Sequence, residues 1–219
     1  MSPPTLFPSE RTSPGEIERF LHKQGLTMLL GVDEAGRGAL FGPVTAAAVV
    51  FGPQGLVPDG VRDSKELDQR QREELEQAIM GSAAAFGVGM ASAEEIDSSD
   101  ILRATFLAMR RAIEGCLLQL GASVQLVLVD GPLLIEGLAL PQKPVVKGDQ
   151  RSLHIAAASI LAKVARDRLI VELAGHYPGY GLERNKGYGT AAHQEAIGRL
   201  GLSSLHRRSF CKGFLPAEG

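Results

Sequence analysis

The chain lacks any long apolar run. Its hydrophobic stretches are short and broken by charge, which excludes an ordinary membrane-spanning helix. The first residues, Met1-Ser-Pro-Pro-Thr-Leu-Phe-Pro8, hold neither a basic region nor an apolar core, so no secretory signal is expected. Cysteine is scarce. Cys116 and Cys211 lie far apart and match no metal spacing, which argues against a disulfide scaffold and fits a reduced, cytoplasmic setting. No internal repeat is evident. A surplus of positive charge is also missing: the net charge of −2 argues, taken alone, against a nucleic-acid partner.

The distribution of charge reverses that reading. Residues 1–139 hold 11 Lys and Arg against 19 Asp and Glu, whereas residues 140–219 hold 12 against 6. Such asymmetry allows a cationic face on a mildly acidic protein, provided that folding does not mix the halves. With 219 residues, 44 % hydrophobic and 22 % charged, the chain is long enough for one sizeable domain. Residues 1–25 read as a loose Pro- and Ser-rich tail followed by a short helix over Gly15–Gln24. Residues 26–219 read as one domain with a basic C-terminal segment.

Along that domain, apolar runs and helical periods alternate. Met28-Leu29-Leu30 begins a buried strand, and Val44 to Phe51 reads as a second, ended by Gly52-Pro53. Leu67 to Met80 is helical in pattern. Ala83 to Ala91, small and Gly-rich, reads as a closely packed strand. Leu102, Phe106, Met109, Ile113, Leu117 and Leu120 recur with a helical period and predict a helix over Asp100–Leu120, capped by Ser98, Ser99 or Asp100. Val124 to Val129 reads as another buried strand, Val145-Val146 as a short one, and Ser152 to Ala174 as a long helix opening on small residues. Strands alternating with helices indicate an α/β domain. Only a short turn separates the first two strands, so the sheet is expected to be mixed.

The chemistry concentrates in Gly31-Val-Asp-Glu-Ala-Gly-Arg-Gly38. Asp33 and Glu34 stand where the first strand should end. Gly36 and Gly38 allow a tight bend and close backbone approach, and Arg37 offers a planar cation suited to phosphate. Asp130 and Asp149 have the same context, each following an apolar stretch and flanking glycine. Gathered together, these four carboxylates would repel one another without cations. They meet the oxygen preference of Mg²⁺ or Mn²⁺, and the absence of Cys or His at ligand spacing argues against zinc. A turn with a surface salt bridge, or a calcium or structural site, fits the same residues. Tyr188, between Gly187 and Gly189, is placed either to stack on a sugar or base or to sit in a plain surface loop. Asp63-Ser64-Lys65 is either a phosphate-holding turn or a helix cap. His206-Arg207-Arg208-Ser209-Phe210 is either a backbone grip or a solvated terminus. His154, His176 and His193 read as packing or surface histidines, and Asp167 as an ion-pairing helix residue.

Taken in order, the blocks resemble the type 2 ribonuclease H family, ribonuclease HII. They are Gly31–Gly38, Gly42-Pro43-Val44, Asp63-Ser-Lys65, Glu95-Ile-Asp97, Ile101–Thr105 and Val129-Asp-Gly131. Further on come Lys147-Gly-Asp149, Ile155–Lys163 with Arg166-Asp167, Tyr177–Tyr180, Lys186–Thr190 and His206-Arg207 with Ser209-Phe210. The resemblance implies a ribonuclease H-like fold, a five-stranded mixed sheet flanked by helices. It implies an endoribonuclease that cuts the RNA of RNA–DNA hybrids and cuts 5′ of single ribonucleotides in duplex DNA, leaving 3′-hydroxyl and 5′-phosphate ends. Asp33, Glu34, Asp130 and Asp149 match the family's metal-binding carboxylates, for two Mg²⁺ or Mn²⁺ ions. Gly36, Arg37 and Gly38 match the loop that reads the ribose 2′-hydroxyl. Lys65, with Ser64 beside it, matches a phosphate contact, and Tyr188 the tyrosine under the sugar at the RNA-to-DNA junction.

Departures from the family pattern are small. Phe41 is bulky where smaller residues are common, and the sequence ends soon after Phe210 without the longer helical extension of some members, which on this resemblance bears on the strength of duplex binding and not on the chemistry. The type 3 family is the alternative enzyme, but its N-terminal substrate-binding domain has no room in about 25 residues. A binding module that had lost its chemistry would lack a carboxylate, and none is missing. A monomer acting without a membrane is expected.

Overall fold

In the computed structural model the residues described are 13–53 and 55–214. Of the loose tail expected over residues 1–14, all but 13 and 14 lie outside them. The first helix, α1 (Glu16–Lys23), precedes β1 (Leu29–Ala35), β2 (Val44–Val50), α2 (Gln69–Ser82), β3 (Ala85–Ala91), α3 (Ala93–Ser98) and α4 (Ile101–Leu117). Then come β4 (Leu126–Asp130), β5 (Gln142–Val145), α5 (Leu153–Ala174) and the short helices α6 (Leu182–Asn185), α7 (Ala191–Leu200) and α8 (Arg208–Cys211). The strands form one five-stranded sheet in the order β3-β2-β1-β4-β5. β1, β2 and β3 pair antiparallel, while β4 and β5 run parallel to β1. The sheet is therefore mixed, as the short β1–β2 connection requires.

Two boundaries differ from the sequence reading in ways that matter. β1 does not stop before its carboxylates: pairing with β2 continues to Ala35↔Thr45, so Asp33 and Glu34 lie inside the strand. β5 ends at Val145 rather than including Val146, because its pairing with β4 stops at Asp130↔Val145. Its Pro144 is tolerated because β5 is an edge strand. Among the three candidate caps of α4, Asp100 is the one that accepts the Arg103 N–H, at 2.9 Å. The residues after Ala174, left without elements by periodicity, contain α6, α7 and α8, none longer than 10 residues.

The sheet buries both faces. On one side, alternate residues Leu30, Val32, Ala46 and Ala48 pack with Phe106, Met109 and Ile113 of α4. On the other, Ala47 and Val49 meet the small face of α5, Ala157, Ile160 and Leu161. Further along that side, Leu29 and Leu128 pack with Ile155 and with Ile17 and Leu21 of α1. α1 is also pinned by a buried carboxylate: Glu18 Oε1 accepts from Ser152 Oγ at 2.6 Å and lies 3.2 Å from His154 Nδ1. Burial works against the charge of Glu18, but the His154 and Ser152 contacts outweigh it and hold its pKa below the ordinary value. His154, read as a packing or surface histidine, is thus buried, with Glu18 as its polar partner.

Gly31 sets how close α5 can come. A Cβ there would lie 2.3 Å from the backbone carbonyl carbon of His154 and 2.5 Å from Ile155 N. No side chain can yield at such a contact, because the obstacle is the first turn of a helix. Gly31→Ala is therefore expected to lower stability by about 1–3 kcal/mol through overpacking, read as a lower urea midpoint at unchanged slope.

Candidate active site

β1 and β4 are adjacent and parallel, so their C-terminal ends share one edge of the sheet. With a side-chain period of two, Asp33 follows Leu29 and Gly31 on the face toward α5, and Asp130 follows Leu128 on the same face. The two carboxylates meet there as neighbours across the strand pair. Asp33 is 4 % exposed, and its Oδ1 accepts the Glu34 N–H at 2.7 Å. Glu34, the next residue of β1, also lines this cleft and is held by Arg37 at 3.3 Å. Asp130 Oδ1 accepts the Gly148 N–H at 2.7 Å, which draws in the turn carrying Asp149 just ahead of α5.

Asp33, Glu34, Gly36, Ser64, Lys65, Asp130 and Tyr188 line a cleft of about 340 Å³. Seven of the ten residues singled out in sequence are therefore together. Arg37 and Gly38 are exposed beside it, and Asp149 stands behind Lys65 rather than on the cleft wall. Lys65 Nζ is 2.7 Å from Asp149 Oδ2 and 3.4 Å from Asp63 Oδ1. Of its two sequence readings, the Asp63–Lys65 block shows the cap: Asp63 caps a 3₁₀ turn by accepting the Lys65 N–H, and the lysine side chain reaches the acidic site. Ser64 is buried, its N–H 3.4 Å from Ser159 Oγ of α5.

The carboxylates hold one another under electrostatic pressure. Burial, then the charges of Glu34 and Asp130, push the pKa of Asp33 well above the usual carboxylate range. Burial likewise raises Glu34 despite Arg37, and burial with Asp149 raises Asp130. Burial opposes the charge on Lys65, but its hydrogen bond to Asp149 and the acidic field around it raise its pKa above that of a free lysine. Among the described residues, no three His, Cys, Asp or Glu side chains stand ready to hold a metal ion. Asp149 is engaged by Lys65 and one oxygen of Asp130 by Gly148. The donor set itself is carboxylate oxygen only, under mutual repulsion, which suits a hard divalent cation and not a soft one.

Two buried arginines build the rim. Arg166 of α5 lies beneath the loop after β1 and donates to the carbonyls of Pro43, Phe41 and Lys186. Gly36, at φ +89°, makes room for it, since a Cβ would fall 1.9 Å from Arg166 Nε. Arg207 donates to the carbonyls of Gly42 and Arg37 at 2.9 and 2.8 Å. Both guanidinium groups are fully buried. This corrects the reading of His206-Arg207 as a backbone grip or a solvated terminus: the pair is inside, and only Arg208 and Ser209 of the block are exposed. Phe41, the bulky departure, is fully buried against the Tyr177 and His206 rings. The Leu40 N–H donates to the Gly187 carbonyl at 2.8 Å, which sets the Tyr188 loop beside the Gly36–Gly38 loop. The Tyr188 ring is half-buried, with Arg166 Cζ 5.1 Å and Lys163 Nζ 5.3 Å from its centroid.

Lys163, Arg166, Asp63 and Arg207 are supporting residues that the sequence reading quoted within its blocks without counting them among the site residues. A signal existed for two of them: Lys163 and Arg166 are cations in a helix whose preceding turns are mostly apolar. Asp167 pairs with Lys163 at 2.8 Å, as its spacing indicates.

A sequence model of ribonuclease HII matches residues 30–213, which run from β1 through α8. The chain belongs to the ribonuclease HII family. The ribonuclease HII of Syntrophotalea carbinolica is 49 % identical over 205 residues, covering 94 % of this chain and 95 % of that one. The crystal structure of ribonuclease H2 from Pyrococcus horikoshii superposes with a TM-score of 0.69 at 26 % identity, covering 85 % of this chain and 96 % of that one. A ribonuclease HIII (Bst-RNase HIII) in complex with Mn²⁺ shares the fold, at TM-score 0.67, 18 % identity and coverage of 87 % and 66 %. This ribonuclease HII therefore has the ribonuclease H-like fold and is a metal-dependent hydrolase, an endonuclease acting on RNA–DNA hybrids.

The repulsion among the carboxylates makes a stability prediction. In EDTA, Asp33→Asn is expected to stabilise the protein by about 1 kcal/mol, a rise in Tm of roughly 2–4 °C by differential scanning calorimetry. An unchanged or lower Tm would count against an unneutralised cluster.

Proposed function

We propose that this ribonuclease HII cuts on the 5′ side of single ribonucleotides embedded in duplex DNA as well as within hybrids, leaving 3′-hydroxyl and 5′-phosphate ends. The observation carrying this reading is one cleft lined by Asp33, Glu34, Asp130, Lys65 and Tyr188, with Gly36 opening onto it and Arg37 and Gly38 beside it. Asp33, Glu34, Asp130 and Asp149 would hold two Mg²⁺ or Mn²⁺ ions, Asp149 by exchanging Lys65 for a cation. Two such ions, when bound, activate the attacking water and stabilise the leaving oxygen of a phosphodiester. The Mn²⁺ bound by the ribonuclease HIII of the same fold is in keeping with that choice.

The remaining steps belong to the chain itself. A 2′-hydroxyl is the only local difference between RNA and DNA, so its recognition needs backbone at contact distance. Gly36 and Gly38 leave that approach clear, and Arg166 and Arg207 hold the loop's carbonyls so that its shape does not relax. Arg37 contacts the adjacent phosphate, and Lys65, freed from Asp149, takes the next, with Ser64 beside it. The Tyr188 ring lies flush under the sugar that follows the ribonucleotide and accepts a deoxyribose there.

The same reading makes the enzyme a monomer of the cytoplasm, serving removal of RNA primers and of misincorporated ribonucleotides. Its two described cysteines are free and buried, and burial pushes the Cys116 thiol up to about 12, which keeps it inert. No described helix is long and apolar enough to cross a membrane.

The deciding assay uses duplex DNA carrying one ribonucleotide, with Mg²⁺, Mn²⁺ or EDTA. A metal-dependent cut 5′ of the ribonucleotide is expected; cutting of a continuous hybrid alone would shift the assignment to a type 3-like specificity. Asp33→Asn should abolish cleavage while duplex binding, read by fluorescence anisotropy in EDTA, stays within about twofold, because Arg37 and Lys65 remain. Tyr188→Ala should lower single-ribonucleotide cleavage more than hybrid cleavage; equal losses would remove its junction-sensing role.

A further inference from the structure

Two imidazoles are buried between the Tyr188 loop and the C-terminal segment. His193 is 0 % and His206 2 % exposed, and their Nε2 atoms are 3.2 Å apart. At that distance one Nε2 carries a proton and the other accepts it. The outer nitrogens decide which. His206 Nδ1 receives the Ser203 N–H at 3.0 Å and lies 2.8 Å from Ser203 Oγ, whose hydroxyl can donate to it as well; a nitrogen that accepts the amide bears no proton, so the ring's proton is on Nε2, directed at His193. His193 Nε2 accepts it. The proton of His193 is then on Nδ1, 3.0 Å from the Tyr188 carbonyl, which can only accept. The result is one directed line of hydrogen bonds: Ser203 N–H to His206, His206 to His193, His193 to Tyr188.

The surroundings keep this line in a single state. The Tyr180 ring is 4.8 Å and the Phe41 ring 5.1 Å from His206. Burial, then the neighbouring His193, bring the His206 pKa down to about 4, and burial lowers His193 despite the Tyr188 carbonyl. Both rings are neutral at pH 7, as the line of bonds requires.

Tyr188 is thereby held at two points. Its carbonyl is fixed by His193, and its ring rests over Arg166 and Lys163. The far end of the line is the segment whose next residue, Arg207, fixes the Arg37 carbonyl. The loop beside the ribose and the tyrosine beneath the following sugar are therefore set from one buried anchor.

We propose that His206 and His193 are positioning residues that set the height of Tyr188 in the cleft, and with it the preference for an RNA-to-DNA junction over a continuous hybrid. This rests on the reading of Tyr188 as the junction sensor. Neither histidine touches substrate.

The test separates the two ideas. His206→Asn keeps a short acceptor for Ser203 but loses the donor to His193, whereas His206→Gln keeps a donor at Nε2 reach. The full chain and both variants are assayed on single-ribonucleotide duplex and on continuous hybrid, beside Tyr188→Ala. His206→Asn is expected to lose roughly tenfold more kcat/KM on the junction substrate than on the hybrid, the scale of a small misplacement, and Gln to recover most of it. Equal loss on both substrates, with Tyr188→Ala still selective, overturns the anchor and leaves the tyrosine's role standing. A non-selective Tyr188→Ala overturns both. A readout independent of activity, and of whether the variants fold, is long-range ¹H–¹⁵N NMR of the wild-type imidazoles. His206 is expected as the Nε2–H tautomer and His193 as Nδ1–H; reversed tautomers or an imidazolium at pH 7 overturn the proposal.

Discussion

Helix α5 lies against β1 with a glycine for a spacer, and the site depends on that approach. Gly31 lets the first turn of α5 come within contact of the strand. Each successive turn of the helix then reaches a different part of the cleft. The turn ahead of it carries Asp149, Ser159 Oγ lies against the Ser64 N–H, Lys163 lines the cleft, and Arg166 holds the loop after β1. A helix set further out would lose all four together. This also explains why α5 is so rich in alanine at its start: small side chains permit the same closeness further along the sheet.

Charge is arranged against stability at one end of that frame. Burial and mutual repulsion raise the pKa values of Asp33, Glu34 and Asp130, and the exposed cations Lys65 and Arg37 offset only part of the cost. The rest of the fold tolerates this because the sheet is packed on both faces and the rim loops are tied by Arg166 and Arg207. A cluster left short of positive charge, yet rigidly framed, carries a repulsion that a bound cation would offset.

Much of this was legible from residues. The alternation of strands and helices, the helical period from Leu102 and the glycine-rich closeness of β3 are local patterns that reappear in the structure, although the helix expected to reach Leu120 stops at Leu117. The candidate residues were legible because carboxylates, glycines and a tyrosine in apolar or glycine contexts are chemically unusual wherever they fall. The short helices after Ala174 were not legible, since four to ten residues carry too little periodicity to rise above the pattern of a loop. Nor was the burial of His206 and Arg207: a basic block near the end of a sequence reads as solvated, and only partners distant in sequence reverse that.

By itself, then, the sequence determined the composition of the site, the α/β character of the domain and, through its ordered blocks, the ribonuclease HII family. Tertiary structure alone decided that Asp33 lies within a strand and not at its end, that Asp149 faces Lys65, and that a C-terminal arginine and two histidines hold the rim from inside. The reason is physical. Residue chemistry and local period are carried by neighbours along the chain, whereas burial, pKa and hydrogen-bond direction are set by groups that meet only when α5 and the C-terminal segment close over β1.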